Sequence, residues 1–216
     1  MAKVTGPLLS IASRGQIGKS IVFAAWRGIK YARRHVVPAN PRTAAQTQTR
    51  NVFDALDFMW KMLQTLSRAP WTESARGRPF TNRNQVIRFN LPVMRGKVNR
   101  QDWQGSPGAN GGIAPSSLVV AATATAGELQ ATVVTPTPPL GWTLDSVDGH
   151  VFLDGSPEVR LSDVVQELSD ALTPFVLLFT GLDSGVLHVV SAWTVWTRDD
   201  GVRAYGPSLT DIGTPL

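Results

Sequence analysis

Residues 13–28 read SRGQIGKSIVFAAWRG and contain a Gly-Lys-Ser triplet at 18–20, the ending of a phosphate-binding loop. Such a loop carries a further glycine five positions before the Gly of its Gly-Lys-Ser. Here that position is Ser13, and Gly15 falls two places too late. A phosphate loop also delivers its ligand to the N-terminus of a helix. Downstream of Ser20, however, the chain is rich in β-branched and aromatic residues and is interrupted at Arg27-Gly28, a pattern that predicts a hairpin. The triplet is therefore expected to be a turn in which Gly15 and Gly18 supply backbone freedom, and no nucleotide cofactor is expected.

The other residue types able to do chemistry do not converge. There is no cysteine, which excludes disulfides, thiolate metal sites and cysteine nucleophiles. His35, His150 and His188 are far apart, each in or beside a predicted strand, so no zinc site is expected. His188 alternates with apolar residues and is expected half-buried on a sheet face. No G-x-S-x-G nucleophile elbow occurs. The carboxylates of DGSPE and RDDG sit where turns collect Asp and Gly for backbone reasons. Neither an enzyme nor a bound metal or cofactor is expected.

Two constellations suggest binding instead. WRGIKYARRH interleaves aromatic and cationic side chains, with Trp26, Arg27, Tyr31, Arg33 and Arg34 as candidate assembly contacts, since aromatics and arginines concentrate interface energy. The same residues suit phosphate neutralisation with base stacking, an alternative that is open but not favoured, because no helix-turn-helix, RRM or finger pattern accompanies them. Towards the C-terminus, Trp142 and Trp196 are candidate glycan platforms. Trp193 and Trp196 are three apart and so face opposite sides of a strand, which suggests that at most one is core.

The elements that position these residues follow from periodicity. The hairpin strands are expected near 17–26 and 29–37, after an extended arm at 6–13, and neither arm nor hairpin has evident partner strands within the region. Asn40-Pro41 can open a helix of about six turns whose packed face carries Phe53, Leu56, Trp60 and Leu63, widened by Met59, Met62 and Leu66. Ser67 and Thr81 can cap two shorter helices, the first ending at Gly77 and the second before Pro92. Beyond residue 117 the chain is β-rich: strand pairs flank Ala126-Gly127 and Asp200-Gly201, with further strands in DGHVFLD and TPFVLLFT and a strand edge plus a short helix between those two. Six or seven short strands in about a hundred residues predict an antiparallel sandwich. The fold class is thus α+β, mostly β: arm, hairpin and helices, then an immunoglobulin-like β-sandwich.

Charge divides the 216 residues unevenly. Residues 1–104 hold 18 Lys and Arg against four acids, and residues 105–216 hold three against 12. The change coincides with QGSPGANGGIAPSS, expected as a linker. The organisation expected is a basic anchoring region at 1–104, a linker at 105–116 and an acidic sandwich at 117–216. No apolar run approaches a membrane span, and the N-terminus lacks the apolar segment of a secretory signal. A hairpin alone is marginal in water, so the first region is expected to complete its packing on neighbouring subunits.

The order of marks in the first hundred residues resembles a family of small tailed-bacteriophage virion proteins. The marks are Gly18-Lys19, Trp26-Arg27-Gly28, Tyr31, Arg33, Asn40-Pro41-Arg42-Thr43, Gln46, Arg50, Phe53, Trp60, Trp71 and Asn84, and the likeness covers about residues 6–112. The segment LHVVSAWTVWTRDDGVRAYGPSLTDIGT is similar to the final hairpin of fibronectin type III and related modules, with Leu187 or His188 where a corner tyrosine usually stands. The resemblance implies a non-enzymatic structural protein, most simply a capsid decoration anchored by its N-terminal half. The alternatives are a tail or connector component, a carbohydrate- or receptor-binding module and a nucleic-acid-binding protein. The implied partners are other virion proteins and further copies of the chain, and the implied location is the virion, assembled in the host cytoplasm without a membrane.

Overall fold

The apolar, β-branched runs on either side of Gly18 and of residues 27–28 pair as the hairpin pattern requires. In the computed structural model, which describes residues 3–4, 13–26, 29–37, 39–40, 42–96, 103–153 and 164–216, the chain forms two compact units, Met1–Thr43 and Ala44–Leu216. The first is an antiparallel meander, β1 (Lys3–Val4), β2 (Ser13–Ile17), β3 (Ile21–Trp26) and β4 (Ile29–Arg34), paired in that order. The expected hairpin is present, and β2 and β1 are the partner strands that local sequence did not reveal. Most of the expected arm lies outside the described residues. Cross-strand partners share a face, so the register Ile17↔Ile21↔Arg34 and Phe23↔Ala32 defines one side of the sheet. Gln16↔Val22↔Arg33 and Ala24↔Tyr31 define the other. No described side chain of this unit is buried.

The second unit has three layers. Helices α1 (Ala44–Met62), α2 (Thr65–Ala75) and α3 (Asn82–Gly96) precede nine strands: β5 (Pro107–Ala109), β6 (Ser117–Ala122), β7 (Leu129–Val134), β8 (Trp142–Leu153), β9 (Val164–Asp170), β10 (Phe175–Phe179), β11 (His188–Arg198), β12 (Arg203–Pro207) and β13 (Leu209–Gly213). One sheet runs β10-β7-β6. The other runs β5-β12-β11-β8-β9, with β13 also on β11. The chain crosses between sheets after β5, after β7, after β9 and after β10, as immunoglobulin-like sandwiches do. Val147, Val151, Val190 and Ala192 of the larger sheet pack against Leu129, Ala131, Leu177 and Phe179 of the smaller one. Their neighbours Phe152 and Val189 point the other way, into a second core with Val52, Leu56, Met59, Trp71 and Val86 of the helices.

The helices are therefore part of the sandwich unit, and the expected boundary at 104/105 is replaced by one at 43/44. The expected linker is packed structure: β5 pairs with β12, and Gly112 lies against the backbone of Tyr205. Composition misled here because glycine serves close backbone approach as well as flexibility.

Four further expectations shift. Helix α1 begins at Ala44, not at Pro41, because Arg42 has φ +47° and ends the helical path on its N-terminal side. Its buried stripe is Val52, Leu56 and Met59, with Leu63 just past its end; Leu56, Met59 and Leu63 stand where they were expected, whereas Val52 is buried in place of Phe53, which is 43% exposed, and Trp60 is half-buried. Helix α3 runs through Pro92, and burial of Val93 and Met94 holds its last turn. Thr81 caps α3 as expected, its Oγ1 accepting from Asn84 N–H at 3.3 Å. The segment expected to hold a strand edge and a short helix has β9 at 164–170, where the helix was expected.

Candidate functional site

The candidate contacts fall on β3 and β4 of the first unit. Trp26 ends β3 opposite Ile29, and Arg27 lies outside the described residues. Tyr31 is 42% exposed, and Arg33 and Arg34 are exposed. The register sets Tyr31 and Arg33 on one face and Arg34 on the other. The stretch is thus two surfaces, not one cluster. The Gly-Lys-Ser triplet forms the β2–β3 turn: Gly18 has φ +56°, Ser20 N–H donates to Ile17 O, and a strand follows where a phosphate loop needs a helix. Lys19 is exposed at this turn.

In the second unit the fold brings together a serine, a histidine and a carboxylate that sequence spacing gave no reason to connect. Helix α2 has no side-chain cap of its own at Gln64, and Ser67 sits inside its first turn, not at the cap. Glu167 of β9 supplies the cap, its Oε1 accepting from Gln64 N–H at 2.6 Å and its Oε2 from Ser67 N–H at 3.2 Å. A carboxylate there also complements the positive end of the helix dipole. His150 is the cross-strand partner of Glu167, and its Nδ1 lies 2.9 Å from Ser67 Oγ. Nucleophilic catalysis requires an accessible hydroxyl beside an imidazole able to take its proton. Ser67 is fully buried and His150 is 1% exposed. Burial pushes the imidazole down to about 3, so it is neutral at ordinary pH and a poor base. The group is a polar lock between the helix layer and the sheet.

Beside it, Gln64, Thr65, Asp148, Glu167, Arg203 and Tyr205 line a cleft of about 420 Å³. Burial raises the Asp148 carboxyl, against hydrogen bonds from Ser169 and Ser146 and the charge of Arg203. Burial likewise raises the Tyr205 phenol. Among the described residues no group of three or more His, Asp or Glu is arranged to hold a metal ion. No helix among them is long and apolar enough to cross a membrane.

The helical arginines are partly absorbed locally. Arg68 donates to Trp60 O and Lys61 O at the end of α1 and lies over the Trp60 ring, while Arg76 pairs with Glu73 and Arg83 with Asp57.

Trp196 cannot be a glycan platform: it is fully buried, with Nε1 donating to Thr194 Oγ1 and Ile113 O. Trp193 is buried too. The two do face opposite sides, but β11 is covered on both, by the helices and β5 region on one and by the smaller sheet and the Ile113 segment on the other. His188 is 1% exposed for the same reason, deeper than expected. Trp142 is half-buried with Arg198 over its ring.

Strand order and crossings define the second unit as an immunoglobulin/fibronectin III-like β-sandwich to which a helical layer has been added. Solved structures similar to the chain include one described as a myokine, 10% identical over 49% of this chain and 99% of that one, with a TM-score of 0.36. A fibronectin III-like protein from Clostridium thermocellum is 13% identical over 49% of this chain and 94% of that one, at 0.32. A computationally redesigned β-sandwich protein is 15% identical over 47% and 88%, also at 0.32. No family model and no curated protein matches the chain.

Proposed function

We propose that this chain is a non-enzymatic assembly protein of a tailed-phage particle, anchored through its N-terminal sheet and presenting the β-sandwich as a projecting module. The observation that carries this reading is the state of the first unit: four paired strands with no buried side chain among the described residues. Ile17 and Ile21 on one face are 38% and 43% exposed, with Phe23 beside them only partly covered. A sheet gains stability in water by covering an apolar face, and a partner surface is what an assembly provides. The resemblance of residues 6–112 to tailed-phage virion proteins supports the particle as the setting. Capsid decoration is the simplest role, because it needs one anchor and one presented module.

Quantitative mass spectrometry of separated heads and tails tests the proposal. High copy number with heads supports decoration, and low copy number confined to tails moves the protein to the neck or tail. Absence from purified particles refutes the virion role.

A further inference from the structure

The first unit contains eight Lys and Arg and not one Asp or Glu in 43 residues. The second unit carries the remaining 13 cations against all 16 acids. A basic patch without acidic residues is the electrostatic footprint of a polyanion-binding surface. The two faces of the sheet also differ. Ile17, Ile21, Phe23 and Ala32 share one face, with Arg34 at its end. The opposite face holds Gln16, Val22, Ala24, Tyr31 and Arg33, with Tyr31 and Arg33 two residues apart on the same strand and both exposed. An exposed aromatic ring beside a guanidinium on an open sheet face is the arrangement that stacks an unpaired base while neutralising its phosphate. Gln16, two strands away on that face, adds an amide able to donate to or accept from a base edge.

The geometry points to a single-stranded nucleic-acid surface on the Gln16–Val22–Tyr31–Arg33 face. The apolar face stays available to the protein anchor, and the inference does not rest on the particle assignment. Binding draws most of its strength from phosphates and is sequence-tolerant. If about four of the eight cations neutralise phosphates, the log–log salt slope is about −2.8, and affinity falls about 50-fold between about 50 and 200 mM salt.

The test is fluorescence anisotropy of the full-length protein with an oligothymidylate of about 30 nucleotides, a duplex of the same length and polyglutamate as competitor, over that salt range. Arg33→Ala is expected to flatten the single-strand slope by about 0.7, with Arg33→Lys restoring it. Tyr31→Ala is expected to weaken single-strand binding about tenfold at constant slope, whereas Tyr31→Phe keeps it. Both side chains are exposed, and far-UV circular dichroism checks that the variants fold. No DNA binding at the lowest salt overturns the inference. So does duplex binding that exceeds single-strand binding and ignores Tyr31→Ala. Displacement by polyglutamate as effective as by oligothymidylate overturns it in favour of an acidic protein partner.

Discussion

Acidification should destabilise the sandwich unit through one residue. His150 is buried, its Nδ1 meets Ser67 Oγ, and its Nε2 has no hydrogen-bond partner. A proton added to this ring would place a charge in the helix–sheet seam with one N–H unsatisfied. Burial lowers the imidazole from 6.5 to about 3, so the folded state stays neutral while the unfolded state takes up a proton. The folded pKa is the lower of the two. The stabilisation is therefore complete above about pH 6.5 and is lost as pH falls towards 3. From pH 7.5 to 5.0 the unfolded chain gains a favourable protonation worth about 1.4 kcal/mol per pH unit below 6.5, about 2 kcal/mol in all. Urea unfolding followed by tryptophan fluorescence, for the wild type and His150→Asn at both pH values, measures this as a double difference. Asp148, whose raised pKa acts in the opposite direction, is present in both proteins and cancels. The wild type should lose about 2 kcal/mol more than the variant on acidification. Parallel losses would refute the claim that His150 is held neutral by burial.

Two other substitutions test how the layers are joined. Gly112→Ala would place a methyl carbon 2.2 Å from the Tyr205 carbonyl carbon and 2.6 Å from Gly206 N, both backbone atoms. It should lower stability by about 2–3 kcal/mol in the same denaturation assay, whereas a flexible linker there would make Gly→Ala neutral or stabilising by about 0.4–1 kcal/mol. Glu167→Ala removes the acceptor for Gln64 and Ser67 N–H and should cost about 1–2 kcal/mol, with Glu167→Gln recovering part of it, read as thermal midpoints.

The features legible in the sequence were those that a few neighbouring residues determine. Alternation and turn chemistry marked β6 and β7 around Gly127, β11 and its return across Asp200-Gly201, and the β3–β4 pair. The missing glycine at position 13 and the β-branched, aromatic run after Ser20 together showed that Gly18-Lys19-Ser20 was a turn. The concentration of charge was visible as well, although its sharpest form needs the 43/44 boundary.

What only the tertiary structure decided was which surfaces are covered. The broad apolar stripe of α1 held Phe53, Met59, Trp60 and Met62 together, and periodicity cannot choose which edge of it is buried. The choice lies with the sheet residues Phe152 and Val189. Trp193 and Trp196 face opposite ways as a strand dictates, yet both are core because a layer lies on each side of β11. The glycines of residues 105–112 have the composition of a linker, and only the approach of the Tyr205–Gly206 backbone gives Gly112 its packing role. Ser67, His150 and Glu167 meet across 100 residues of chain, a convergence created by docking the helices on the sheet. Local sequence sets backbone conformation and the side of an element on which each residue stands. Burial depends on what arrives from far along the chain, and that information is held by the assembled layers.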